Sequence, residues 1–156
     1  MAADPGELRS LSNREPQTVD ILHASSVSYR GRALLIMGAS GTGKSALALE
    51  LMSRGAQLIS DDQTRLHATP EGLMADAPDT IKGRIEARGI GILNATPAGP
   101  KPLALAVDLD RDETARLPEF YTFTRLGVTI PLLYRVPYPH FIPALLQFLT
   151  AGRIPI

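Results

Sequence analysis

The apolar positions of this chain fall into short runs rather than long helical stripes. Residues 18–29, TVDILHASSVSY, and 33–38, ALLIMG, flank a turn-prone YRGR, which predicts two strands joined by a hairpin at Arg30–Gly31. ALLIM is apolar without alternation, the pattern of a strand covered on both faces, so the second strand is expected at the centre of a sheet. Further on, SALALELMSR places Leu47, Leu51 and Met52 at helical spacing, and Gly55 stands where a left-handed residue ends a helix; the spacing predicts a helix over 43–54. AQLIS reads as a short strand, and QTRLHAT and GLMADA, separated by Pro70-Glu71-Gly72, as a second hairpin. NATPAGPKP over 94–102 reads as a loop, LALAVDLD and IPLLYRV as buried strands, and PHFIPALLQFLTAG as a terminal helix.

That helix is apolar on nearly every side of FIPALLQFL, with Gln147 the one polar interruption. It must be covered, either by the chain's own sheet or by a second subunit or protein substrate. Residues 1–16 carry Pro5, Gly6, Ser10, Ser12, Asn13 and Pro16 among mixed charges, too little apolar surface to offset the entropy of ordering. They are expected to form a mobile arm, with 17–156 as one domain.

Composition narrows the function classes. A chain of 156 residues, 44% hydrophobic, suits a single domain with its own core. Lys plus Arg and Asp plus Glu number 16 each, without long like-charge runs, so there is no electrostatic footprint for nucleic acid or anionic lipid. The absence of cysteine excludes disulfides, thiolate metal sites and a cysteine nucleophile. The first residues lack an apolar signal region, and no segment approaches a membrane span, so a cytoplasmic protein is expected.

The chemistry sits in Gly38-Ala39-Ser40-Gly41-Thr42-Gly43-Lys44-Ser45, which matches G-x-x-x-x-G-K-[ST] at every fixed position, between an apolar strand and a capped helix. Glycines let backbone N–H groups and the helix N-terminus converge on an anion, and Lys44 adds a mobile positive charge. Ser45 offers a hydroxyl to a magnesium ion bridging two phosphates. ATP with Mg2+ is the expected cofactor pair.

Phosphoryl transfer also needs a carboxylate near the metal and one to accept a proton. Two candidates stand out: the pair Asp61-Asp62 after AQLIS, and Asp108 at the end of LALAV, in the manner of a Walker B strand. On an extended chain the two adjacent carboxylates would point in opposite directions. Spacing does not choose between the pair and Asp108.

The run GASGTGKSALALELMSRGAQLISDD, followed by RIEARGIGIL at 84–93, closely resembles the catalytic domain of the HPr serine kinase/phosphorylase family. The signature Glu-x-Arg-Gly-x-Gly-Ile is met by Glu86, Arg88, Gly89, Gly91 and Ile92; His23, Ala115-Arg116-Leu117 and LGVTIP at 126–131 match further positions. The resemblance covers roughly residues 20–135. It implies an α/β fold of the HPr kinase and PEP carboxykinase kind: a mixed β-sheet carrying a P-loop, with flanking helices. It also implies an ATP-dependent protein-serine kinase acting on the phosphocarrier HPr or a relative, able to run in reverse as a phosphorylase. By the same resemblance Asp61 is the base, assisted by His23; Asp62 and Ser45 hold magnesium, with Glu86 nearby; Lys44 spans the phosphates, and Arg116 stabilises the transferring group. Family members form hexamers, so a homo-oligomer is expected.

The departures matter too. Longer family members carry an additional N-terminal domain, whereas this sequence starts almost directly at the catalytic module, as a short form would. NATPAGPKP is shorter than the corresponding family segment, and Pro137-Tyr138-Pro139-His140 stands in place of a Pro-Gly-Arg-Asn loop. Two other readings stay open at this point: a small-molecule P-loop kinase using Asp108 for magnesium, and a module that senses ATP without transferring phosphate.

Overall fold

The computed structural model describes residues 19–155, so the expected arm over 1–16 lies outside the described residues. The first strand pattern resolves into two elements, β1 (Val19–Leu22) and β2 (Ala24–Tyr29), separated by a bend at His23. One uninterrupted strand fails there because the two halves belong to different ladders. β1 pairs with β5 (Thr64–Thr69), whereas β2 pairs with β3 (Arg32–Met37) and β4 (Gln57–Ser60).

The β2–β3 hairpin forms at the expected place, with both central residues at positive φ (Arg30, 52°; Gly31, 79°), the turn whose twist suits a two-residue hairpin. β3 is central as expected, between β2 and the twelve-residue strand β9 (Lys101–Asp112). Both of its faces are covered. Leu34 and Ile36 join the core on the helical side, and Ala33 and Leu35 join the core on the opposite side.

Helix α1 (Lys44–Met52) follows the P-loop. Gly55 at φ 108° ends it: its N–H reaches the Met52 carbonyl and the Ala56 N–H reaches that of Leu51, the paired bonds of a Schellman cap. β4 leads to the second expected hairpin, β5 with β6 (Gly72–Asp76). A 3-10 turn (Asp79–Ile81) precedes a separate two-stranded hairpin, β7 (Arg84–Ala87) with β8 (Gly91–Asn94). The remaining elements are β10 (Tyr121–Arg125), β11 (Val128–Arg135) and α2 (Phe141–Ala151).

The main sheet runs β1-β5-β6-β9-β3-β2-β4, with β11 beside the far end of β9 and β10 outside it. The β3–β9 and β9–β11 pairs are parallel and the others antiparallel, so the sheet is mixed, as expected. Helix α2 settles on the chain's own sheet: Phe141, Leu145 and Leu149, one face at i, i+4 and i+8, are buried with Val27, Leu34, Leu105 and Leu51 of α1. Pro143 is accommodated because it lies in the first turn, where N–H groups have no intrahelical partner. Among the described residues no helix is long and apolar enough to cross a membrane.

Candidate active site at the P-loop

The loop between β3 and α1 closes on itself. Thr42 Oγ1 donates to the Ala39 carbonyl at 2.7 Å, and Lys44 Nζ donates to the carbonyls of Gly38 at 2.7 Å and Ala39 at 3.0 Å. Gly38 is required by this packing: at φ 148°, a Cβ there would stand 2.5 Å from Thr42 Oγ1 and 3.3 Å from Leu109 Cβ. From the end of β9, Asp110 Oδ1 accepts the Ala39 N–H at 2.8 Å and so ties the loop to the neighbouring parallel strand.

The two aspartates lie where β4 ends, and they are not extended. Asp62 adopts the left-handed conformation, φ 69°, which Asp tolerates better than most residues. The turn it makes sends the carboxylates to different surroundings. Asp61 is 8% exposed, and its carboxylate accepts three hydrogen bonds: from Ser45 Oγ at 2.6 Å and Ser25 Oγ at 2.9 Å on Oδ1, and from the Glu86 N–H at 3.0 Å on Oδ2. Asp62 projects outward, its side chain 68% exposed, with Oδ1 2.9 Å from His23 Nε2. A carboxylate only accepts hydrogen bonds, so Nε2 carries the proton of that contact.

A cavity of about 570 Å³ opens over this arrangement. Ser40, Gly41, Gly43, Lys44 and Ser45 line it from the loop and helix, His23 and Asp62 from one side, and Glu86, Arg88 and Ile90 from the β7–β8 hairpin. Of the expected site residues, His23, Ser40, Gly41, Gly43, Lys44, Ser45, Asp62 and Glu86 line the cavity, Gly38, Ala39 and Thr42 complete the loop, Asp61 is joined to it through Ser45, and Arg116 lies elsewhere. That residue follows β9 and lines a second cavity, of about 660 Å³, against β11 and α2. The Glu113 N–H bonds to the Arg135 carbonyl there, at the end of β11. Asp108, the alternative acid, does not line the P-loop cavity; its Oδ1 accepts the Asp110 N–H at 2.9 Å.

Three contributors escaped the sequence reading as site residues. Ser25 lies two positions beyond the exposed bend at His23 but is buried on β2, and nothing in the sequence marks it. Arg88 was visible inside the signature without a task, and Asp110 looked like part of an ordinary charged turn.

A family model described as the HPr Serine kinase C-terminal domain matches residues 16–98, which contain all the residues lining the P-loop cavity. The chain belongs to this family. Curated relatives named HPr kinase/phosphorylase are similar to part of this chain. The protein from Brevibacillus brevis is 44% identical over 85 residues, 54% of this chain and 27% of the relative, and that from Nitrosomonas europaea is 44% identical over 73 residues, 46% and 23%. The match thus spans about a quarter of these relatives' length. The solved Hpr(Ser) kinase/phosphatase from Coxiella burnetii superposes with a TM-score of 0.69 at 24% identity, covering 84% of this chain and 88% of that one. That likeness extends the shared fold beyond residue 98 to most of the chain.

Proposed function

We propose that this HPr kinase family member transfers the γ-phosphoryl group of ATP to a serine of HPr or a related phosphocarrier, with Mg2+. The observation that carries the reading is the link from the P-loop to the aspartates: Ser45 on Asp61, and beside it an outward Asp62 paired with His23 in the same cavity. The family supplies the substrate class.

The donor set fits a magnesium ion bound with nucleotide. Magnesium takes one or two carboxylates plus phosphate oxygens and water rather than a dedicated cage. Among the described residues no group of three or more His, Cys, Asp or Glu could form such a cage. The Ser45 hydroxyl and the Asp61 carboxylate would hold the ion, with Glu86 at the cavity wall. When bound, magnesium neutralises charge accumulating between the β and γ phosphates.

This reading exchanges the roles that the resemblance implies for the two aspartates. Asp61 is buried behind Ser45 with three of its acceptor positions taken, which suits the metal side rather than a proton from an incoming hydroxyl, whereas Asp62 reaches the cavity with lone pairs free. Asp62 would take the serine proton as the serine oxygen bonds to the γ phosphorus and the bond to the β-phosphate oxygen breaks, releasing ADP. His23 holds the Asp62 carboxylate in place, and Lys44 brings its ammonium to the phosphates. In reverse, an oxygen of inorganic phosphate would bond to the phosphoserine phosphorus as the serine O–P bond breaks, giving pyrophosphate, and protonated Asp62 would return its proton to the serine oxygen. Cytoplasmic action and a homo-oligomer, a hexamer by family analogy, belong to the same proposal.

The experiment is incubation with γ-labelled ATP, magnesium and an HPr-type phosphocarrier, followed by mapping of the label. The expected result is phosphoserine on the carrier, lost in Asp62→Asn and retained in Asp108→Asn. No labelled serine, or the opposite pattern between the two variants, would overturn the reading.

A further inference from the structure

Ser25 lies on β2, is fully buried at 0% exposure, and does not line the cavity. Its hydroxyl nevertheless touches both aspartates, 2.9 Å from Asp61 Oδ1 and 3.2 Å from the Asp62 backbone nitrogen. The direction of each bond is fixed, because a carboxylate only accepts and a backbone N–H only donates. Ser25 therefore gives its proton to Asp61 and receives the Asp62 N–H on a lone pair.

We propose that Ser25 is a positioning residue that sorts two adjacent carboxylates into two tasks, turning Asp61 inward to share its oxygen with Ser45 and holding the turn that sends Asp62 outward to His23. The inference rests on the phosphoryl-transfer reading of the site. Three observations support it. Asp62 sits at φ 69°, a conformation that Asp tolerates at some cost and that a hydrogen bond to its N–H helps to hold. Oδ1 of Asp61 receives one hydroxyl from the α1 side and one from β2, so removing the β2 hydroxyl leaves the carboxylate free to swing about its remaining contacts. Among the described residues Ser25 is the one side chain hydrogen-bonded to both aspartates. The neighbouring hydroxyl is committed elsewhere: Ser26 Oγ pairs with Thr64 Oγ1 at 2.8 Å, and Thr64 in turn donates to the Ala24 carbonyl.

The test compares Ser25→Thr with Ser25→Val, which have nearly the same shape and differ in the hydroxyl, and adds Ser25→Ala. Any overpacking at this buried position affects Thr and Val alike, so their difference reports the hydrogen bonds. Two quantities are measured on the full chain: affinity for a fluorescent ATP analogue in EDTA and in magnesium, and kcat and KM for transfer to the carrier serine. In EDTA the variants are expected to bind the analogue alike. The affinity gained on adding magnesium should fall about tenfold in Ser25→Val and Ser25→Ala, the scale of losing a hydrogen bond to a charged group, and persist in Ser25→Thr. kcat should follow the same order with carrier KM unchanged. Equal behaviour of the Thr and Val variants in both measurements would overturn the assignment. A wild-type protein that gains affinity with magnesium but labels no carrier serine would overturn the functional reading instead, and the Thr and Val contrast in magnesium-dependent affinity would still decide the role of Ser25.

Discussion

The Ser45 hydroxyl donates to Asp61 Oδ1 at 2.6 Å, joining the first turn of the P-loop helix to the end of the next strand. The contact explains why an acid placed so soon after the loop can serve it: β4 is held one strand away from the loop's own strand by β2, which lies between them and pairs with both. Ser45→Ala is expected to leave nucleotide binding in EDTA unchanged and to remove about tenfold of the affinity gained with magnesium, the scale of one hydrogen bond to a charged group. Titration of a fluorescent ATP analogue with and without magnesium checks it.

Lys44 is 7% exposed and donates to two loop carbonyls, so its ammonium also holds the loop's shape. Lys44→Met should lower transfer by about 10²–10³-fold, as removal of a preorganised electrostatic group does. Leaving two carbonyls without their donor should cost about 1–3 kcal/mol of stability. Single-turnover kinetics and thermal melting measure the two effects separately.

Gly38→Ala should distort the loop, since the new Cβ would fall 2.5 Å from Thr42 Oγ1, which is itself anchored on the Ala39 carbonyl. We expect a destabilisation of about 1–3 kcal/mol and weakened nucleotide binding. Thr42→Ala in the same chain should recover part of the loss by removing the nearest clashing atom. A double-mutant cycle of melting and binding data provides the check.

Local patterns carried most of the fold. The β2–β3 and β5–β6 hairpins, α1 with its Gly55 cap and α2 follow from runs and turn residues close in sequence. What was not legible depends on distant neighbours. The break at His23 arises because β1 and β2 join different ladders, and nothing in TVDILHASSVSY shows that. The β7–β8 hairpin was visible as a signature but not as an element, since Ile90, Ile92 and Leu93 are exposed and only Ile85 and Ala87 face inward. β10 buries Phe123 alone, too weak a pattern to announce a strand.

The site divides in the same way. The P-loop, Asp61, Asp62, Glu86 and His23 could be named from sequence, but their surroundings could not. The left-handed turn at Asp62 and the inward set of Asp61 are held by Ser25, some 36 or 37 positions away in the chain. Arg116 matched a family motif by letters, yet the path of the chain after β9 puts it in another cavity.

Helix α2 discriminates a core element from an interface. Leu145 and Leu149, 1% and 0% exposed, pack on the sheet, so Leu145→Ala or Leu149→Ala should destabilise by about 2–5 kcal/mol. Gln147→Glu on the exposed side should change stability by less than about 0.5 kcal/mol. Denaturant unfolding at two protein concentrations tests both figures, and shows whether stability depends on association.

The division between the two aspartates is the centre of the account, and one comparison reaches it. In single-turnover transfer of labelled γ-phosphate to the carrier serine, Asp62→Asn should bind magnesium and nucleotide as the wild type does while its rate falls by about 10²–10⁴-fold, the contribution of a positioned base. Asp61→Asn should lose the magnesium-dependent gain in nucleotide affinity. The reverse outcome, with magnesium-dependent binding lost in Asp62→Asn and kept in Asp61→Asn, would contradict the account.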